Sequence, residues 1–281
     1  MNRIRHIFKT IVATVALAVF GFSLYQLSTG DFWGVRKQTN GYQSPAVIID
    51  AGHGGSDAGA IKSGLMEKDL TLEIAKRVAH TLEQRGIPVR MTRDKDVFLE
   101  LNERANFAKN GQGIVFVSIH INSVRTDFDA QGIETYVAHS RPLAVQAAMR
   151  RALSLPTGGK TAYYDERDQK LASLIHTSVV KATQAKDRNV KDDKNLLVTQ
   201  MPECPAALVE CGFITNEEEA LLLNQTSYRA RLGDAIAEGI EIYLDRSRAD
   251  PMFGIRSDEG KETHDPRDPK SGSRPVVSVK K

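Results

Sequence analysis

From Pro45 to about Leu244, short apolar runs alternate with stretches in which apolar residues recur at helical spacing. AVIID (46–50), PVRMTR (88–93), IVFVSI (114–119), GIETYV (132–137), LLV (196–198) and AALV (206–209) read as strands. Between the first two, Leu70, Ile74, Val78 and Leu82 recur every fourth residue with Ala75 and Ala79 beside them, which predicts a helix over 68–85 that Gly86 ends. Further helices are expected over 101–109, 171–185, 217–223 and 228–243. A chain that returns to a buried strand after each helix packs as an α/β domain around a largely parallel sheet.

The ends behave differently. Arg3, Arg5 and Lys9 precede an apolar stretch over 11–27, the pattern of a targeting segment. Its length suits both a cleaved signal peptide and a retained signal anchor, and in either case the basic residues stay cytoplasmic while the body is exported. Residues 1–30 are therefore expected to be signal or anchor, 31–44 a linker, and 45–245 the folded domain. Residues 246–281 are charged, carry Pro251, Pro266, Pro269 and Pro275, and are expected to be a disordered tail. The net charge of +3 comes without any basic cluster interleaved with aromatics, so the chain has no nucleic-acid footprint. Its two cysteines, Cys204 and Cys211, exclude a four-cysteine metal site and are expected to be buried thiols.

Chemistry-bearing residues gather at the strand ends. His53 follows the first strand, His120 closes the third, Glu210 closes the last, and Glu67 opens the first helix. Open parallel sheets bind ligands at the carboxyl ends of their strands, so residues distant in sequence can share that edge. Two histidines and a carboxylate can hold a catalytic zinc with one position left for water, and a further carboxylate can serve as the base. The glycines at 52, 54, 55 and 59 permit close backbone approach beside such an ion. Asp50 and Asp57 are candidates to orient a ligand histidine through its second nitrogen. The other histidines have weaker claims. His80 and His176 fall on predicted helices, His139 follows a strand, and His6 and His264 lie in the terminal segments.

The blocks VIIDAGHGGSDAGA, GLMEKDL, MTRDKDVFLELNERANFA, VSIHINS, GIETYV and PAALVECGFITNEEEALLL occur in this order over about 45–244. Together they resemble the zinc-dependent N-acetylmuramoyl-L-alanine amidases of the Amidase_3 type. The resemblance implies a three-layer α/β/α sandwich around a mostly parallel mixed sheet. It also implies hydrolysis of the amide between the lactyl group of N-acetylmuramic acid and the L-alanine of the peptidoglycan stem peptide. The cofactor implied is Zn2+, with His53, Glu67 and His120 as ligands and Glu210 as the catalytic glutamate. Peptidoglycan is then the substrate, and the location is the periplasm or cell envelope, with 11–27 in the inner membrane if uncleaved. The order of blocks argues against another zinc hydrolase, such as a carboxypeptidase or a small-amide deacylase. Residues 140–168 exceed what compact members carry. In some division amidases a helix inserted here blocks the site until a protein activator releases it; a surface excursion is the simpler expectation. Arg93 and Arg104 lie in matching blocks, as candidates either to bind stem-peptide carboxylates or to pair with Asp94, Asp96 or Glu100.

Overall fold

The apolar runs assemble, in a computed structural model, into a six-stranded sheet that places every strand-end candidate along one edge. The structure describes residues 44–110, 112–138, 166–193, 197–200 and 202–249. The strands are β1 (Ala46–Ala51), β2 (Ile61–Lys62), β3 (Leu65–Met66), β4 (Val89–Met91), β5 (Gly113–Asn122), β6 (Ile133–Ala138), β7 (Asp187–Asp193) and β8 (Ala206–Phe213). The helices are α1 (Glu67–Gln84), α2 (Leu101–Asn110), α3 (Glu166–Thr183), α4 (Leu197–Gln200), α5 (Glu217–Leu223) and α6 (Thr226–Ala249).

The sheet order is β4-β1-β5-β8-β6-β7, and β2 and β3 form a separate hairpin. β4, β1, β5 and β8 run parallel, as do β6 and β7, while the β6–β8 pair is antiparallel. This is the mixed, mostly parallel sheet expected. β1 is buried along its whole length, as a central parallel strand covered on both faces must be.

Strand alternation divides the side chains between the two faces. Val47, Ile49, Val117, Ile119, Ala207 and Val209 point to one side and pack against Leu70, Ile74 and Val78 of α1, Leu171 and Ile175 of α3, and Ile236 and Ile240 of α6. Ile48, Phe116, Ala206 and Leu208 point to the other and meet Ala108 of α2 and Val198 of α4. Continuing along this second face, the alternate positions become Asp50, Ser118, His120 and Glu210. The thinner helical layer thus gives way to polar chemistry at the carboxyl edge.

Three expectations are corrected. Residues 196–198 were expected as a strand, but α4 covers Leu197–Gln200 and packs Val198 against the second face. Three apolar residues carry no period, so a single helical turn and a strand look alike in sequence. β7 was not foreseen: DRNVKDD is an edge strand with alternating exposure and a single aliphatic residue. α6 continues to Ala249, beyond the boundary at 245, and carries Arg246 and Arg248 in its last turn, where cations favour a helix terminus. Cys204 and Cys211 are both free and buried, as expected. Among the described residues no helix is long and apolar enough to cross a membrane. The targeting segment, the linker, residues 140–165 of the excursion, His139 and the tail beyond 249 lie outside the described residues.

Candidate active site

β1 ends at Ala51, and the chain turns out of the sheet through Gly52 into His53, whose φ of 57° is the left-handed conformation that side chains rarely adopt. Gly52 is glycine because the His120 ring occupies the place of a side chain: a Cβ there would lie 2.4 Å from its Cε1. The β2–β3 hairpin then delivers Glu67 as the first residue of α1, and β5 delivers His120.

These three side chains converge. Glu67 Oε1 lies 3.1 Å from His53 Nε2 and 3.1 Å from His120 Nδ1. The two imidazoles meet edge-on, with centroids 4.9 Å apart and planes at 76°. One candidate ligand atom from each residue lies within 4.8 Å of the other two. The backbone fixes the carboxylate: Ile121 N donates to Oε1 at 3.0 Å and Ala60 N to Oε2 at 2.9 Å. Asp57 Oδ2 holds His53 Nδ1 at 2.7 Å, and Asp57 Oδ1 accepts from Gly59 N at 3.0 Å. Burial would raise the Glu67 carboxyl pKa, but the bonds and charges of His120 and His53 outweigh it and hold the group well below the usual carboxylate range. His53 is raised in turn: its burial is offset by Glu67 and Asp57.

The donor set suits a metal ion. Two imidazole nitrogens and a carboxylate oxygen, all aimed at one point, are ligands of the kind a divalent transition metal takes. Asp57 supplies the carboxylate that a ligand histidine commonly has behind it. Of the two aspartates proposed for that task, Asp57 performs it and Asp50 does not. Asp50 is fully buried and accepts from Thr92 Oγ1 at 2.6 Å, Ser118 Oγ at 2.7 Å and Arg104 NH1 at 2.8 Å.

Arg104 and Arg93 are also corrected. Neither takes the role of a surface peptide-binding arginine, and among the described residues neither forms an ion pair with Asp94, Asp96 or Glu100; both are buried beneath the 51–53 turn. Arg104 donates to the carbonyls of Ala51 and His53 at 2.7 and 2.8 Å, and Arg93 to those of Ala51, Gly52 and Lys68 at 2.9, 2.8 and 2.8 Å. They tie down the carbonyls that the turn frees, which holds His53 in its strained conformation. Asp50→Asn leaves the Arg104 charge buried without its counterion. The expected loss is about 3–5 kcal/mol of stability, read by urea denaturation; an unchanged midpoint would show that the pair carries nothing. A second clamp was not foreseen. Lys68 Nζ donates to Asp96 Oδ2 at 2.7 Å and to Gly55 O at 2.9 Å, joining the glycine loop to the segment after β4.

Glu210 stands one strand over from His120, its Cα partner in the β5–β8 register. Its Oε2 is buried and has no hydrogen-bond partner among the described residues. Burial first, then the nearby charges of Glu67 and Glu134, push its pKa well above the ordinary value. An unpartnered carboxylate oxygen is costly to bury, and Glu210 lies close enough to the cluster for the Glu67 charge to act on it. Gly59, at φ +63°, closes the near side: a Cβ there would lie 2.6 Å from Glu67 Oε2 and 2.8 Å from His53 Cδ2. Gly59→Ala is therefore expected to displace both side chains and to lower metal affinity about 10–100-fold, the range seen when a ligand's support is lost. Titration with metal by calorimetry checks this, and wild-type affinity would contradict the packing argument.

Of the remaining histidines, His80 is exposed. His176 is buried, with Nδ1 3.0 Å from Thr135 Oγ1 and Nε2 2.9 Å from Asp187 Oδ1, so it joins α3 to β6 and β7.

A mostly parallel α/β sheet with a His–Glu–His cluster and a lone carboxylate at its carboxyl edge defines the class as a metal-dependent hydrolase of the amidase kind. The chain belongs to the N-acetylmuramoyl-L-alanine amidase family Amidase_3, whose pattern matches residues 47–242. The N-acetylmuramoyl-L-alanine amidase AmiA of Salmonella typhimurium is 30% identical over 274 residues, which cover 85% of this chain and 91% of AmiA. Among solved structures, the amidase AmiC2 of Nostoc punctiforme is 34% identical with a TM-score of 0.61, covering 72% of this chain and 98% of that one. The CwlD amidase of Clostridioides difficile, solved in complex with the GerS lipoprotein, is 25% identical with a TM-score of 0.61, covering 72% and 99%. The chain is an N-acetylmuramoyl-L-alanine amidase, a hydrolase that breaks down peptidoglycan.

Proposed function

We propose that the metal is zinc, that His53, Glu67 and His120 are its ligands, and that Glu210 is the catalytic general base. The observation that carries this reading is the convergence of the three donors one strand from Glu210, whose Oε2 is the one buried carboxylate oxygen without a hydrogen-bond partner among the described residues. The two-nitrogen, one-oxygen set is that of catalytic zinc sites with an open position. Zinc bound there supplies a Lewis acid that polarises the lactyl carbonyl and lowers the pKa of the attacking water. Asp57 keeps His53 oriented through Nδ1. Glu210 takes the proton of the attacking water at Oε2 and delivers it to the departing L-alanine nitrogen. Its raised pKa suits a group that must accept a proton before it releases one.

The same reading places 1–30 as signal or anchor, 31–44 as linker and the residues after Ala249 as a charged tail on the domain that begins at 45. The product is exported to the periplasm or envelope, with 11–27 in the inner membrane if retained. The basic residues before the apolar stretch support this. A protein activator is compatible with it, since the CwlD relative is found with a lipoprotein.

Digestion of peptidoglycan followed by mass spectrometry tests the activity and its bond. Free stem peptides beginning with L-alanine are expected. Glycan fragments with peptides still attached would overturn the reading, and elemental analysis without about one zinc per chain would overturn the choice of metal.

A further inference from the structure

A second charged cluster lies beside Glu210 and takes no part in the chemistry described so far. β6 runs antiparallel to β8, so it begins at the edge where β8 ends, and Glu134 is the Cα partner of Glu210. Directly opposed residues of an antiparallel pair project from the same face, with Cβ atoms about 5 Å apart. His120, Glu210 and Glu134 therefore form a row across β5, β8 and β6.

Glu134 is 2% exposed and saturated with donors. Arg188 Nε reaches its Oε1 at 2.5 Å and Lys191 Nζ at 2.6 Å, while Tyr136 OH and Asn122 Nδ2 reach its Oε2 at 2.6 and 3.0 Å. Burial would raise its pKa, but Lys191, Tyr136 and Arg188 more than offset this and hold the carboxyl below its ordinary range. One buried carboxylate thus fixes two cations from β7, and the set carries a net positive charge. The cations are not sealed in: the side chains of Arg188 and Lys191 are 30% and 38% exposed. Each is also steadied by an aromatic ring. Arg188 Cζ lies 5.0 Å from the Phe213 centroid, and Lys191 Nζ lies 5.7 Å from that of Tyr136. Arg188 meets Glu134 through Nε, so the edge formed by its two terminal nitrogens is directed elsewhere, and that edge matches a carboxylate.

The direction of the substrate follows from the base. If Glu210 hands its proton to the departing nitrogen, that nitrogen lies on the Glu210 side of the carbonyl. The peptide then runs on from L-alanine, away from His120, across β6 towards β7.

We propose that Arg188 and Lys191 form a carboxylate subsite for the stem peptide just beyond L-alanine, with Glu134 as the positioning residue that holds them. This rests on Glu210 as the base. The ligand is the free α-carboxylate of the residue that follows L-alanine, and a carboxamide in its place removes the charge the subsite binds. Glu134 gives the cations a fixed geometry at the cost of half their charge, which makes the site selective rather than generally adhesive.

The test is a pair of muropeptides identical except for carboxylate or carboxamide on that residue, digested by the full chain, with products identified by mass spectrometry. Wild type is expected to prefer the free acid about tenfold or more in kcat/KM, chiefly through KM, as for a lost charge-assisted bond. Arg188→Gln and Lys191→Gln lose the preference because their rate on the free acid falls towards that on the carboxamide. Arg188→Lys restores part of it. Glu134→Gln weakens the preference through KM while zinc content stays at wild-type level. Should this last variant fail to fold, the two β7 variants carry the test alone. Equal cleavage of both substrates by wild type, or a preference that survives both Gln variants, overturns the subsite and leaves the amidase assignment standing. If neither substrate releases its peptide, the underlying reading of the site fails instead.

Discussion

Glu210→Gln is expected to keep its bound zinc and lose about 10²–10⁴-fold in turnover, the contribution of a positioned general base. Glutamine has nearly the shape of glutamate, so the packing of β8 is preserved. Oε2 has no hydrogen bond to lose among the described residues. The substitution also removes one of three acidic charges that repel one another, since Glu67 and Glu134 both push the Glu210 pKa up. Stability therefore holds while the chemistry stops. Zinc content, the melting temperature and the rate of stem-peptide release, measured on one preparation, separate these effects. A variant as fast as wild type would remove Glu210 from the mechanism, and one that has lost its zinc would make it a ligand rather than a base.

Stripping the metal is expected to abolish activity altogether and to lower the melting temperature. A site that binds only the folded chain stabilises it by about 4 kcal/mol when free metal exceeds its dissociation constant a thousandfold. The three proposed ligands come from β5, the β1 turn and the start of α1, so a bound ion would join segments that only the sheet holds together. Dialysis against a chelator, then calorimetry and a peptidoglycan assay with zinc added back, measures both effects. In His120→Ala neither the melt nor the residual rate should respond to the chelator. Full activity in a protein shown to be metal-free would sink the assignment of the site.

The sequence was most legible where burial imposes a period. The four-residue spacing of α1 and the unbroken apolar runs of β1, β5 and β8 leave few alternatives, and the strand-end rule then draws His53, His120 and Glu210 to one edge. It was least legible where structure depends on pairing alone. β7 is built from charged residues on an edge, and nothing local marks it as a strand. α4 is too short to show a period. The arginines show another limit: in sequence Arg93 and Arg104 fit either peptide binding or pairing with nearby acids, and only Asp50 and the freed carbonyls of the 51–53 turn explain their burial. Glu134 did leave a signal. A lone acid in GIETYV, an otherwise buried strand, must find partners or pay heavily for desolvation. Its partners come from β7, the strand that could not be foreseen.

The position of β8 in the sheet bears on the order in which the site is assembled. β8 lies between β5 and β6, both of which precede it in sequence, and it carries Glu210, the proposed base. During synthesis the proposed metal ligands emerge first, but the centre of the sheet stays open until the chain has passed residue 213. Contacts over such separations are slow to form, because loop closure must come before any pairing rewards it. The strand that completes the core is the strand that brings the base. With Glu210 as the proposed base, a chain that stops short of β8 is expected to be inert, and the capacity to cut peptidoglycan to arrive only with the finished fold.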